Sequence, residues 1–245
     1  MTLYNEIDPF AATWLERLIE AGHISPGTVD RRSIKDVQCK DLEGFNRVHL
    51  FGGIAGWDYA LELAGWGSDA VWTGSAPCQP FSLAGGRRGF YDPRHLWPQM
   101  LRLVKECRPP VIFGEQVPNL EWWDEVADDL EALDYTCRAE VRTAVVQRRR
   151  RLFWSAHLGG ARVEGQKQGV HPGIAGPWGW RGEADLQAIA RSPMEPGDRW
   201  PQPIVRRLDD GVPTSLGKGA LRCFGNAIVP QVAAEFIRSF MEVQQ

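Results

Sequence analysis

The 245-residue sequence has no run of about 18 apolar residues, the length a helix needs to cross a bilayer, so no membrane span is expected. Its first residues carry neither the basic stretch nor the apolar core of a secretory signal, so none is expected. Cysteine is sparse. The five (Cys39, Cys78, Cys107, Cys137, Cys223) are scattered, odd in number and nowhere in C-x-x-C spacing, which favours neither a zinc site nor a disulfide framework. A reducing cytoplasm is the expected setting. Excess positive charge is also missing: the net charge of −3 argues against indiscriminate coating of nucleic acid, although a local patch would suffice for contact. No internal repeat is present. Apolar residues make up 43% and charged residues 24%, as in an ordinary globular chain, and the length suits one sizeable core with a small annex. A monomer is the expected state.

Periodicity gives the organisation. Residues 2 to 7 read as a short buried strand ending at Asn5-Glu6. Ala11, Trp14, Leu15, Leu18 and Ile19 recur at helical spacing, and Gly22 stops that helix. Residues 47 to 51 form a second strand running into Gly52-Gly53-Ile54-Ala55-Gly56, followed by a helix with Tyr59, Leu61, Leu63 and Ala64. Val71 to Gly74 is a strand ending at Ser75-Ala76-Pro77-Cys78. Leu96 to Cys107 is helical, Val111 to Gly114 a strand ending at Glu115, and Leu120, Trp123, Val126, Leu130 and Leu133 stripe the next helix. Arg138 to Val146 and Leu152 to Ala156 read as strands, and residues 231 to 243 as a closing helix. Alternating strands and helices predict an α/β fold with a mainly parallel sheet, in which ligands bind at the carboxyl ends of strands. Residues 159 to 209 are rich in Gly, Pro and Trp and read as an irregular annex to a domain formed by 1–158 and 210–245.

Several segments at predicted strand ends carry chemistry. Pro77-Cys78-Gln79-Pro80-Phe81-Ser82 places a thiol on a stiff, exposed loop, where its thiolate would be a strong nucleophile. Phe51-Gly52-Gly53-Ile54-Ala55-Gly56 is a glycine-rich turn opening a helix, a place where backbone N–H groups approach a ligand. Ala55 within it needs φ below zero to sit comfortably. Glu6 and Ile7 follow the first strand, where a carboxylate stands at the end of the sheet that binds ligands. Asp8 before Pro9 also reads as a helix cap. Gln147, Arg149 and Arg151 share one side of an extended segment. With Arg148 and Arg150, and with Arg87-Arg88, they form either a solvated surface or a phosphate-binding patch.

Taken together these segments resemble the cytosine-5 DNA methyltransferases. Pro-Cys-Gln-Pro-Phe-Ser is similar to the family's nucleophile motif. Phe51 to Gly56 resembles its methionine-pocket turn, with Ala55 replacing a glycine. Asn5-Glu6-Ile7-Asp8 resembles its acidic cofactor segment, Phe113-Gly114-Glu115-Gln116-Val117 its Glu-Asn-Val with Gln116 for Asn, Gln147 to Arg151 its Gln-x-Arg-x-Arg, and Gly225-Asn226-Ala227 its closing motif. Gly85 to Asp92 resembles a mobile catalytic loop. The acidic segment stands before the glycine turn, Glu6 lying 47 positions ahead of Gly53, the reverse of the usual order. Such a transposition can leave the sheet unchanged in space. The expected strand order along the chain is then acidic strand, a following strand after Ile34, glycine-turn strand, nucleophile strand.

The resemblance implies a Rossmann-like fold dependent on S-adenosyl-L-methionine, with Glu6, Ile7, Phe51, Gly53, Ala55, Gly56, Pro77, Asn226 and Ala227 at the cofactor and Ser33 near its adenine. It implies Cys78, Glu115, Arg149 and Arg151 as catalytic groups, Gln79, Ser82, Arg87, Arg88 and Gln147 at the substrate, double-stranded DNA as partner, and no metal. The reduced annex, with Trp178, Trp180, Trp200, Arg181, Arg206 and Arg207, implies short or relaxed sequence specificity. Its compactness is similar to that of phage or prophage members. Three alternatives stay open: the same chemistry on tRNA, transfer of a modified one-carbon group, and a catalytically dead DNA- or cofactor-binding relative.

Overall fold

The computed structural model describes residues 1–77, 95–144, 149–159 and 227–244, with Arg149 and Gln244 described by backbone alone. In chain order the elements are β1 (Thr2–Asn5), α1 (Pro9–Glu20), β2 (Gly27–Asp30), a short 3-10 turn η1 (Cys39–Leu42), β3 (Arg47–Leu50), α2 (Gly56–Ala64), β4 (Val71–Gly74), α3 (Trp97–Cys107), β5 (Val111–Gln116), α4 (Leu120–Glu131), β6 (Tyr135–Ala144), β7 (Arg149–Leu158) and α5 (Pro230–Gln244). They build a seven-stranded sheet in the order β2-β1-β3-β4-β5-β7-β6. The first five of these pair in parallel, and β7 runs antiparallel between β5 and β6. The expected α/β fold is thus what the chain adopts.

Alternation along the strands divides the core into two layers. Leu3, Val48, Leu50 and Trp72 pack with α3, α4, Ile34, Val37 and Leu42 on one face. On the other face Tyr4 packs with Leu15 and Ala55, and Val71, Phe113 and Phe153 pack with Trp57, Trp66, Phe236, Ile237 and Phe240 of α2 and α5 or next to them. Helix starts follow local chemistry. Asp8 accepts hydrogen bonds from the N–H groups of Phe10 and Ala11 at 3.1 Å, with Pro9 in the first turn. Asp8 is therefore a helix cap. Gly65 closes α2 in the left-handed region.

The transposed order does leave the two cofactor-type strands adjacent. β1 lies between β2 and β3, with Tyr4 opposite His49 and Asn5 opposite Leu50. From β1 the chain moves outward to β2, returns past β1 to β3, and then proceeds the other way to β4 and β5. The direction of travel reverses at the β1–β3 pair, where open α/β sheets bind ligands.

Two sequence expectations are corrected. The strand expected after Ile34 lies before it, at Gly27–Asp30. It is a four-residue edge strand with Thr28 exposed, too short to show a period, and Gly27 is required because a Cβ there would lie 2.2 Å from the Thr2 carbonyl oxygen. The cysteines also include a pair: Cys39 and Cys107 form a disulfide, with Cα atoms 5.6 Å apart. Their separation of 68 residues hides it from any local spacing rule, because packing of η1 on α3 brings them together. No helix among the described residues is long and apolar enough to cross a membrane.

Candidate active site

A cavity of about 370 Å³ opens at the carboxyl ends of β1, β3, β4 and β5. At one end stand Glu6, Ile7, Phe51, Gly53 and Gly56, with Ser33 and Ile34 beside them. At the other stand Glu115, Val117 and Arg151, with Ser75, Ala76 and Pro77 between. The sequence thus named both ends, although β1 and β5 are far apart along the chain.

Glu6 ties β1 to the glycine turn. One carboxylate oxygen accepts the N–H of Gly53 at 2.7 Å and the other accepts the N–H of Asp8 at 2.7 Å. A carboxylate oxygen has room for a further donor beyond each such bond, so a pinned Glu6 can still accept hydroxyl groups. The turn itself is left-handed at Phe51 (φ 56°), Gly53 (φ 56°) and Ala55 (φ 66°). The expectation that Ala55 would hold φ below zero is overturned: the turn keeps the conformation a glycine would take. That conformation costs an L-residue about 1–2 kcal/mol, and burial of the Ala55 methyl against Tyr4 and Leu15 offsets part of it. Ala55 supports the turn from behind and does not line the cavity. Gly56 is fixed by contact, since a Cβ there would meet Ile228 at 2.8 Å. Through this contact Ala227 and Ile228, from the far end of the chain, close the pocket against the turn.

At the opposite end Glu115 is 6% exposed, and Arg151 places its Nε 2.7 Å from the Glu115 Oε1. The pairing follows from register, because β5 and β7 align Glu115 with Phe153 and Gln116 with Leu152. Buried Gln116 donates from Nε2 to the carbonyl of Ala76 at 3.4 Å and accepts the N–H of Val117 with its Oε1 at 3.0 Å. Its longer side chain therefore still reaches the loop that leads to Cys78. Trp57 secures the same loop from α2, donating from Nε1 to the Ser75 hydroxyl at 3.0 Å.

Beneath the glycine turn lies a buried polar network. Asp58, in the first turn of α2, accepts the N–H of Ser25 at 2.8 Å and sits 3.3 Å from Arg47 and 3.4 Å from His49. Burial alone would raise its carboxyl, but hydrogen bonding and charge from His49 and bonds from Ser25 outweigh it and hold Asp58 well below the usual carboxylate range. Burial, with Asp58 nearby, pushes the Tyr4 phenol far up. Among the described residues no group of three or more His, Cys, Asp or Glu could hold a metal ion.

Glu6, Ile7, Ser33, Phe51, Gly53, Gly56, Pro77, Glu115, Arg151 and Ala227 therefore meet around one cavity. Cys78, Gln79, Ser82, Arg87, Arg88, Gln147 and Asn226 lie outside the described residues, as does the annex beyond Gly159. Sequence reasoning missed Trp57, Ser75, Leu96 and Val117 as cavity residues. Trp57, Ser75 and Val117 each follow or belong to a motif after a strand, and that position was the signal that could have found them; Leu96, at the start of α3, carried no such signal.

Residues 68–173 match the family model of the C-5 cytosine-specific DNA methylases. Over that stretch the chain is similar to these methylases, and the stretch is less than half of its length. The chain is 27% identical over 165 residues to the Type II methyltransferase M.HhaI of Haemophilus parahaemolyticus, a match covering 48% of this chain and 50% of that one. It is 38% identical over 86 residues to the Type II methyltransferase M1.ScrFI of Lactococcus lactis subsp. cremoris, covering 32% of this chain and 21% of the other. The matches thus span half or less of these relatives' length. Among solved structures, that of a Spodoptera frugiperda DNMT2 mutant aligns at a TM-score of 0.45 and 13% identity, over 70% of this chain and 47% of that one. The methylase match spans β4 and β5 as well as β7, so Glu115 and Arg151 both fall within it.

Proposed function

We propose that this chain transfers a methyl group from S-adenosyl-L-methionine to C5 of cytosine in double-stranded DNA. The observation that carries the reading is one continuous cavity with the Glu6–Gly53 contact at one end and the Glu115–Arg151 pair at the other, lined between them by Pro77, the residue before Cys78. The residues fit that cofactor. Glu6 offers carboxylate acceptors suited to a ribose, and the left-handed turn at Gly53 lets the main chain approach a ligand closely.

S-Adenosyl-L-methionine supplies an electrophilic methyl group to C5 and leaves as the thioether. The protein's part is to prepare the base. A cytosine must leave the stack before C6 and C5 can be reached. The Cys78 thiolate forms a bond to C6, and the ring electrons move toward N3 and C5. Glu115 provides a proton at N3, and the guanidinium of Arg151 sits where it can hold that carboxyl and the O2 of the base. Arg149, Gln147, Gln79 and Ser82 belong to the base and backbone contacts, and Arg87 and Arg88 to phosphate. Asn226 and Ala227 complete the cofactor pocket. After methylation, loss of the C5 proton expels the thiolate and frees the enzyme. Residues 159–209 are the target-recognition annex in this reading, and their brevity goes with short or relaxed specificity.

Trapping on 5-fluorocytosine DNA tests the scheme, because fluorine at C5 blocks the final elimination. Wild-type protein with the cofactor should form a denaturation-resistant adduct, and Cys78→Ala should form none. An adduct formed by Cys78→Ala, or methyl transfer to tRNA in preference to DNA in a parallel assay, would overturn it.

A further inference from the structure

The segment between β2 and β3 walls the cavity beyond Glu6, through Ser33 and Ile34, and little secondary structure of its own supports it. Its only regular piece is η1. Three apolar side chains, Ile34, Val37 and Leu42, dip into the core, but the main chain that carries the wall is held from outside. Asn5 of β1 holds its start, donating from Nδ2 to the Arg32 carbonyl at 2.8 Å, and two further holds come from α3. Arg102 donates from Nη2 to the carbonyls of Val37 at 2.7 Å and Ile34 at 3.2 Å, and one helical turn farther on Cys107 is bonded to Cys39. Neither residue lines the cavity. A single guanidinium that satisfies two carbonyls in one irregular segment fixes its path more strictly than apolar packing does, and the covalent link fixes its far end.

We propose that Arg102 and the Cys39–Cys107 disulfide are positioning groups that set the affinity of the cavity for its cofactor by clamping the Ser33–Leu42 wall to α3. The inference rests on reading this cavity as the S-adenosyl-L-methionine site. Glu6 and the glycine turn would then hold the cofactor's ribose and amino-acid portions, and the clamped wall would bound the space beyond the ribose. Loosening the wall raises the ordering cost of binding and leaves the Glu115 end untouched. Reduction by a dithiol, which gives two cysteine thiols and the reagent's own cyclic disulfide, releases one of the two holds from α3.

Calorimetric titration with S-adenosylhomocysteine tests this on the full chain. Arg102→Met keeps the apolar stem and removes the donors. It should weaken binding by about tenfold, the range of one lost charge-assisted bond. Cofactor KM should rise in step, while kcat at saturating cofactor and the KM for DNA stay as in wild type. Arg102→Lys, which can still donate to both carbonyls, should recover most of the affinity. Treating wild type with dithiothreitol should weaken binding, and the same treatment should leave the Cys39→Ser/Cys107→Ser variant unaffected. Unchanged affinity in Arg102→Met, or a fall in kcat and thermal stability with no change in cofactor KM, would overturn the clamp. Unchanged affinity in dithiothreitol-treated wild type, with the reduction verified by thiol titration, would overturn the disulfide's part. If wild type itself does not bind S-adenosylhomocysteine, the cofactor reading fails and the clamp with it. A binding wild type with indifferent variants fails the clamp alone.

Discussion

Asp58 carries a charge with no exposed surface, where an unpaired charge would be very costly. Its partners are what make the site tolerable: Arg47, His49 and the N–H of Ser25. Because His49 and Ser25 outweigh the effect of burial and hold its carboxyl below the usual range, Asp58 stays ionised in the folded chain where an unfolded chain has already taken up a proton. The resulting stability is complete above about pH 4, the unfolded value, and is lost as pH falls below it, since the unfolded state then binds more protons. Asp58→Asn should lower stability at neutral pH by about 3 kcal/mol, the scale of breaking a buried pair, and should flatten the acid limb of the stability curve. Urea midpoints across the acid range measure both effects, and a neutral-pH midpoint equal to that of wild type would refute the first. Ala55 teaches a related lesson at the same scale. Its side chain argues for one backbone conformation and the turn imposes another, which residue preference alone could not foresee.

Between elements, β5 and β7 fit together at one glycine. Gly114 lies opposite Trp154, and a Cβ on Gly114 would come 2.1–2.4 Å from the indole atoms. The indole cannot retreat, because Trp97, Trp122 and Trp123 surround it with ring centroids 5.9–6.5 Å away. Gly114→Ala should therefore cost about 1–3 kcal/mol through overpacking and shift the strand that carries Glu115. A lowered melting temperature with an altered near-ultraviolet circular dichroism spectrum is expected, and an unchanged melt would show that the cluster yields. This level of detail also marks where sequence reading stopped. Long amphipathic elements such as α1, α3 and α4 were legible because their apolar spacing is periodic over several turns. The cavity residues Glu6, Gly53, Glu115 and Arg151 were legible because each stands in a motif at a strand end. The edge strand β2 was not, since four residues show no period, and the Cys39–Cys107 pair was not, since tertiary packing alone makes it. Gln116 lay between: the motif exposed the substitution, but only the fold brings its amide to Ala76.

For the molecule as a whole, the face formed by α2 and α5 decides cohesion. α5 covers Phe113 and Phe153 with Phe236 and Phe240, and Ile228 just before it packs on Gly56 of the glycine turn. Removing residues from 230 onward should expose this aromatic layer, so that the shortened chain binds an apolar dye such as ANS and loses its cooperative melt. A cooperative melt at the wild-type temperature would show that α5 is an accessory.

Seen in time, the same arrangement sets an order of assembly. Glu6 leaves the ribosome 47 residues ahead of Gly53, so the N–H that pins it is made only when β3 has followed. α5 emerges after every other described element. The half-sheet β2-β1-β3-β4 can therefore pair while the chain is still growing, but the aromatic face that Phe113 of β5 and Phe153 of β7 add lacks its α5 cover until translation reaches that helix. For that interval the nascent chain presents a sticky surface, and slow codons ahead of residue 230 would lengthen its exposure to chaperones and to neighbouring chains.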